Sequence, residues 1–470
     1  MGGRLFTQVG EPEAYGHYAS TVALSASQIG ALLASVAALA SGFIVAAELT
    51  SVLIILGFQV GFLAAAGWRG LLLTASLAPT RGAPEITRLP RYTVLVALYD
   101  EAAVVAQLVE RLSRLDYPAD RLEGFVILEA DDHETCAAFG RLSLPPWLQV
   151  LTAPVGVPRT KPRALNIGLA AATGELVTVY DAEDDPHPLQ LREAAARFAA
   201  DDAATLWALQ APLRVRLPPG TRSTFLDRQF AIEYASLFEV TLPGLARLGL
   251  PFPLGGTSNH FRAAALRSIG GWDSHNVTED ADMGFRLWRA GGRLEVLSRP
   301  TLEPPPGGLD DWLPQRTRWL KGFMQTWGVH TRDVRGLGWR GGISLTMTLG
   351  VALVSAALHA VSLAGLLAII LIALAAGVEP IAPPFAVGVL AIGALAAWVN
   401  AAIGCRRAGM DYTLIDVISA PAYWSLLSLA FVHATWRLIT EPFTWDKTRH
   451  FADPPSSQAA GMAVTGREPA

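Results

Sequence analysis

The chain is short of charge and of cysteine. Charged residues make up 17% of its 470 positions against 51% hydrophobic residues, whereas soluble proteins carry about one quarter charged residues. A membrane protein is therefore the first class to consider. The two cysteines, Cys136 and Cys405, stand far apart in segments of different character. That spacing excludes a disulfide framework or a zinc site and leaves two free thiols in a reducing compartment. A basic field is missing too: the formal net charge is −4, and one window alone sets arginine and lysine beside aromatics, so nucleic acid drops out as a partner.

What the sequence does have is long apolar runs at both ends. Residues 22 to 47 carry no charge, and after Glu48 a second run reaches Ala66. Each matches the roughly twenty residues needed to cross a hydrocarbon core, so the pair reads as a transmembrane hairpin. The first run starts too late and runs too long for a cleaved signal peptide. Lys and Arg are absent between the runs but present at Arg4 before them and at Arg69, Arg81, Arg88 and Arg91 after them. By the positive-inside rule, the segment beyond the hairpin is cytoplasmic. Further apolar stretches fill 343 to 377, 383 to 404 and 415 to 436. The first is too long for one simple crossing: it reads either as an interfacial helix leading into a span or as two short spans around His359. Arg406 and Arg407 favour a cytoplasmic loop before the last run, and Arg437, Lys447 and Arg449 favour a cytoplasmic tail after it. Both cannot hold if 415 to 436 crosses once. The expected division is a hairpin over 1–84, a catalytic-type domain over 85–335, a second membrane region over 336–440 and a short tail over 441–470.

Between the membrane runs the texture is that of an α/β domain. Four β-rich runs, YTVLVALY (92 to 99), GFVILEA (124 to 130), WLQVLTA (147 to 153) and ELVTVYDA (175 to 182), alternate with helical or loop segments of parallel-sheet length. That alternation predicts a doubly wound, nucleotide-type sheet whose ligands sit at the carboxyl ends of its strands. Acidic residues stand at those ends: Asp100 and Glu101, Asp131 and Asp132, Asp181 and Glu183.

Five constellations carry candidate chemistry, each with an ordinary alternative. Asp181 and Glu183 in VYDAEDDPHP offer two carboxylates to Mg²⁺ or Mn²⁺, or simply form a solvated turn. Lys161, Arg163 and Asn166 open a helix leading into that strand, where a lysine can meet a diphosphate or merely decorate the helix. Asp131 and Asp132 can accept hydrogen bonds from a base or ribose, or cap a helix. Thr278, Glu279 and Asp280 precede an amphipathic helix, as caps or with an aspartate as general base. In QRTRWLKGFMQTW, Gln315, Arg318 and Trp319 share one helix face, either closing over a site or anchoring the helix at a membrane surface.

Each motif alone is weak, but the order is specific. An Asp pair, a Lys, Asp-x-acid, Thr-Glu-Asp and then Gln-x-x-Arg-Trp, all between membrane runs, resembles the family 2 inverting glycosyltransferases of the cellulose synthase and hyaluronan synthase branch. Within it the chain is most similar to the short bacterial cellulose-synthase-like proteins, for which EPFTWDKTRH (441 to 450) also looks typical. The resemblance covers about residues 90 to 335 and implies a GT-A type domain between transmembrane helices in a bacterial cytoplasmic membrane. It implies that Asp131 and Asp132 contact the uridine, that Lys161 lies near the diphosphate, and that Asp181 and Glu183 hold Mg²⁺ or Mn²⁺. Asp280 becomes the base, while Glu279, Gln315, Arg318 and Trp319 border the acceptor and pyrophosphate. The loop GGTSNHFR, with Gly255 and Thr257, faces the acceptor. Two departures stand out: Asp181-Ala182-Glu183 replaces Asp-x-Asp, so that Asp181 alone is an equal candidate for the metal, and Tyr-Asp-Glu (99 to 101) replaces Tyr-Asn-Glu.

The activity so implied is transfer of a hexose, with glucose favoured, from a UDP-sugar to a growing β-linked polysaccharide, coupled to export and open to export partner proteins. A single transfer to a lipid acceptor and an inactive nucleotide-binding scaffold are the competing expectations.

Overall fold

A computed structural model describes residues 6–8, 24–78, 86, 88–217, 223–378 and 384–444. Arg4, Arg81, Lys447 and Arg449 lie outside them, as does most of the EPFTWDKTRH stretch.

The four anticipated runs are strands: β2 (Tyr92–Leu98), β3 (Leu122–Glu129), β4 (Leu148–Ala153) and β5 (Leu176–Val179). With β1 (Phe6–Gln8) at the edge they are all parallel. Their near-continuous apolar character fits burial on both faces of a parallel sheet: Val94, Leu95 and Val96 are buried in succession. The sheet continues through β9 (Asn259–Arg262), antiparallel to both neighbours, to β7 (Leu206–Gln210) and β10 (Arg293–Val296), in the order β1-β4-β3-β2-β5-β9-β7-β10. A small sheet of β6 (Asp185–Pro186), β11 (Thr301–Glu303) and β8 (Leu213–Val215) lies beside it. Helices α2 (Val105–Ser113), α3 (His133–Phe139), α4 (Lys161–Ala171) and α5 (Gln190–Ala199) form the crossovers, and the order turns around between β2 and β5, where ligands bind in such sheets.

Helix α6 (Phe225–Ser236) passes through a π-helical turn, Leu237–Thr241, into α7 (Leu242–Arg247). Then come α8 (Ala263–Ser268), α9 (Glu279–Arg289) and the amphipathic α10 (Leu309–Thr331), which anchors itself by the fully buried Trp312. Helix α11 (Gly338–Leu345) leads through a second π-turn, Thr346–Gly350, into α12 (Val351–Ala376), before α13 (Pro384–Ala408) and α14 (Leu414–Thr440).

Among the described residues four helical stretches are long and apolar enough to cross a membrane: Ala26–Ser76, Gly338–Ala376, Phe385–Ala408 and Leu414–Thr440. The first, α1 (Ala26–Ser76), breaks at Ala46, where φ is −152° and ψ 68°. A Cβ on Gly42 would lie 2.7 Å from Thr50 Oγ1, although eight helical residues span about 12 Å. The chain therefore doubles back, and Glu48, the lone charge between the two runs, falls next to the bend. One end meets α10, where Gln28 Nε2 donates to Gly328 O and Thr331 Oγ1 at 2.8 Å each; at the other, Arg407 Nη1 of α13 bridges Ser76 Oγ at 3.0 Å and Glu239 O of the first π-turn at 2.6 Å.

Helix α12 runs unbroken through His359, so the apolar stretch from 343 is a short helix leading into one long one and not two spans around the histidine. The conflict over the last run also has a structural answer. At the start of α14, Asp416 accepts from Arg228 Nη2 at 2.7 Å; at its end, Lys321 Nζ donates to Glu441 O at 3.2 Å and Thr444 O at 2.8 Å. Both ends of α14 are tied to helices of the α/β domain, so basic residues can flank it on the same side.

Candidate active site

A cavity of about 360 Å³ opens at the carboxyl ends of β2 and β5. Lys161, Asp181, Glu183, Gly255, Thr257, Glu279, Asp280, Gln315, Arg318 and Trp319 all line it. Residues spread over more than 150 positions of sequence thus meet in one place.

Helix α4 supplies the cation. Lys161 stands at its first turn, and the rest of the helix is clamped: Arg163 bonds Glu129 at 3.2 Å and Pro154 O at 2.6 Å, while Asn166 exchanges bonds with the Trp272 backbone at 2.7 and 2.9 Å. Lys161 Nζ donates to Asp181 Oδ1 and, at 2.7 Å, to Gly256 O. Gly256 marks the centre of the site: a Cβ there would lie 3.3 Å from Asp280 Oδ2 and 3.9 Å from both Asp181 Oδ2 and Lys161 Nζ. Only a residue without a side chain leaves room for a ligand between these charges.

Burial opposes the charge of Lys161, but Asp181, Glu279 and Asp280 outweigh it and raise its pKa. Burial, and after it the neighbouring Asp280, pushes Glu279 up to about 8, and burial raises Asp280 itself. The Glu279–Asp280 pair thus holds a proton at a pH where an ordinary carboxylate has lost it, as suits a general base working near neutrality.

Helix α10 closes the other side. Gln315 Oε1 is a buried oxygen with no hydrogen-bond partner among the described residues, ready to accept from a ligand hydroxyl or amide. Arg318 Nη1 reaches Val277 O at 3.4 Å, and Gln325 Oε1 accepts from Val277 N at 3.1 Å, which couples α10 to the Thr-Glu-Asp loop. Trp319 packs with Tyr234 at 6.1 Å between ring centroids, and Leu237 and Phe238 of the π-turn continue that wall.

Asp131 and Asp132 are placed differently. Neither lines the cavity. Asp131 is bonded at 2.5 Å by Arg159, which does line it and also donates to Tyr99 OH at 2.9 Å. Asp132 is buried and caps α3, accepting from Thr135 N at 3.1 Å and from Asp100 N at 2.6 Å. Asp100 adopts φ 54°, a left-handed conformation that Asn and Asp tolerate better than other side chains. That explains why Tyr-Asp-Glu can stand for Tyr-Asn-Glu. Thr257 spends its hydroxyl on Asp184.

Sequence reasoning missed Arg159, Asp184, Glu303 and Arg316. Asp184 accepts from Asp181 N at 2.8 Å and so shapes the Asp-Ala-Glu turn. Glu303 ends β11 and lines the cavity, its pKa raised well above normal by burial and then by Asp184, Glu183 and Asp181. The third acid of DAEDD and the lone acid of TLEPPP were the available signals. Asp181 and Glu183 are hard oxygen donors of the kind Mg²⁺ and Mn²⁺ take. Among the described residues no three His, Cys, Asp or Glu side chains form a ligand set, so a cation here would have Asp181 and Glu183 as its candidate protein ligands.

Residues 176–399 match the family described as glycosyl transferase family group 2. That segment, just under half of the chain, is similar to family 2 glycosyltransferases. Its fold is GT-A: the chain superposes on a mannosyltransferase from Pyrobaculum calidifontis, solved with GDP-Man and Mn²⁺, with a TM-score of 0.50 and 19% identity over 82% of this chain and 98% of that one. That likeness is one of fold. In sequence the chain is 27% identical over 257 residues to a beta-monoglucosyldiacylglycerol synthase of Synechocystis, covering 53% of this chain and 52% of the relative. It is 26% identical over 235 residues to a poly-beta-1,6-N-acetyl-D-glucosamine synthase of Staphylococcus epidermidis, covering 48% of this chain and 53% of the relative. The chain spans about half the length of these relatives.

Proposed function

We propose that this glycosyltransferase is membrane-embedded and inverting, and that it transfers a hexose, glucose by preference, from a UDP-sugar to the end of a growing β-linked polysaccharide, coupled to export. The convergence of Asp280, Asp181 and Lys161 on Gly256, with Trp319 in the same cavity, carries the reading. Asp280 takes the proton of an acceptor hydroxyl, whose oxygen attacks the anomeric carbon. Attack from the face opposite an α-linked diphosphate gives a β-linkage. Lys161 and Arg318 hold the departing diphosphate, and a sugar ring stacks on Trp319. Asp181 and Glu183 would hold Mg²⁺ or Mn²⁺, which neutralises diphosphate charge when bound. Asp131, through Arg159, and Asp132, through the Tyr99–Glu101 turn, shape the nucleotide end. The order of Gln315, Arg318 and Trp319 supports the cellulose-synthase-like branch. The bend in α1 and the ties at Ser76 and Arg407 support a cytoplasmic catalytic domain, with α1 crossing twice, α12 and α13 once each, and α14 lying against the domain.

A second reading, one sugar added to a lipid, is favoured by the apolar wall of Leu237, Phe238, Leu254 and Phe323 beside Trp319. Incubating the purified protein with a panel of UDP-sugars and Mn²⁺ or Mg²⁺ tests both. Polymer ladders support the first reading and a single glycolipid the second, while a lack of UDP release with every donor refutes both. Asp280→Asn should abolish transfer and leave donor binding intact; an active variant would place the base elsewhere.

A further inference from the structure

The chain leaving α14 makes contacts that the proposed reaction does not use. Residues 441–444 follow the last turn of α14 and lie against two buried side chains of α10. Lys321, wholly buried, donates to Glu441 O at 3.2 Å and to Thr444 O at 2.8 Å. A buried ammonium is costly unless it is satisfied, and carbonyls at a helix C-terminus, which lack intrahelical partners and form the negative end of the dipole, satisfy it. One turn further along α10, Gln325 uses both ends of its amide: Nε2 donates to Pro442 O at 2.9 Å, and Oε1 accepts from Val277 N at 3.1 Å. Phe443 packs edge-on against His275, with 5.2 Å between ring centroids.

Val277 and His275 belong to one loop, 272–278, that joins the two charged sides of the cavity. Its start is fixed on α4: Trp272 O accepts from Asn166 Nδ2 at 2.7 Å, and Ser274 O accepts from Thr160 Oγ1 at 2.9 Å, next to Lys161. Its end runs directly into Glu279 and Asp280 at the start of α9 and is held by α10, where Asn276 Nδ2 donates to Thr326 Oγ1 at 3.0 Å. Val277 is fully buried, and a buried N–H without an acceptor is costly. An amide has one accepting end and one donating end. Pro442 O can only accept, so it fixes Gln325 with its oxygen toward Val277 N.

We propose that residues 441–444 act as a strut which, through Gln325, holds the end of the loop 272–278 and so sets the position of Asp280 relative to Lys161. Gln325 is a positioning residue, and the exit of α14 is part of the working site. The inference rests on the reading of Asp280 as the base.

Hydrogen–deuterium exchange and steady-state UDP release, both on the full-length protein in detergent, test it. Gln325→Leu removes both bonds at similar volume. Gln325→Glu keeps an oxygen for Val277 N but sets a second acceptor against Pro442 O, so it breaks the strut alone. In both, amides of 272–278 should exchange about fivefold faster or more. Their kcat should fall about tenfold or more while donor KM and UDP affinity stay near wild type, because the α4 side of the loop is held independently. If Gln325→Leu lowers the thermal midpoint, Gln325→Glu and Phe443→Leu decide by the same readouts. Wild-type exchange over the loop in Gln325→Glu overturns the proposal, and so does a faster-exchanging loop with unchanged kcat. Exchange needs no substrate: a wild type that turns over no donor refutes the functional reading, while loop exchange still decides whether the strut exists.

Discussion

The guanidinium of Arg316 lies 4.4 Å from the ring centroid of Trp319 and 4.8 Å from that of Phe230. It also bonds Glu233 at 2.8 Å and Tyr423 OH at 2.9 Å. The indole that lines the cavity is thus held from behind by a buried cation, which joins α10 to α6 and α14. Arg316→Leu should cost about 2 kcal/mol of stability, below the roughly 3–5 kcal/mol of a fully buried pair, because Glu233 keeps 39% of its side chain exposed. The acceptor KM should rise while UDP affinity stays. A lower melting temperature with unchanged acceptor KM would make Arg316 a purely structural residue.

The carboxyl pair Glu279–Asp280 predicts a pH profile. Both groups are raised, and the base must be deprotonated to work, so kcat/KM should climb as pH rises and level off only above the ordinary carboxylate range. Glu279→Gln removes the partner that shares the proton and should move the rising limb to lower pH. A profile already flat from pH 5 upward in the wild type would refute the shared-proton account.

Gly322 lets α10 touch the Thr-Glu-Asp loop: a Cβ there would sit 2.1 Å from Thr278 Oγ1. Gly322→Ala should cost about 1–3 kcal/mol through overpacking and displace Asp280 along with Thr278. Calorimetry and initial rates should both fall. Full activity would mean that the loop has slack.

Cation binding distinguishes Asp181 from Glu183. Electron paramagnetic resonance of Mn²⁺ with UDP and protein should show bound metal in the wild type and little in Asp181→Asn. Glu183→Asp, which shortens the reach by one methylene, should bind at least as well as wild type. If Glu183→Gln matches wild type, Asp181 alone supplies the protein's ligand.

Much of this was legible in the sequence because it rests on local pattern. The four β-rich runs became the parallel strands β2 to β5, since continuous apolar residues with turn signals between them have few other ways to be buried. Lys161, Asp181, Asp280 and Gln315 could be named because motif order is preserved along the chain. Arg159 and Arg316 were hidden, since an isolated arginine has the same sequence signature whether it decorates a surface or supports an indole. Asp132 shows the reverse case: an acid at a strand end proved to cap α3, a choice set by the neighbouring backbone N–H groups.

The sequence by itself determined the classes of segment: apolar runs of membrane length, a β/α alternation and a set of acids at strand ends. Those come from composition and period, which each segment carries alone. The tertiary structure decided that α1 bends at Ala46, that both ends of α14 return to the catalytic domain, and that Gly256 is the point where Lys161, Asp181 and Asp280 meet. Such features depend on distances between residues far apart in the chain, and packing fixes those distances.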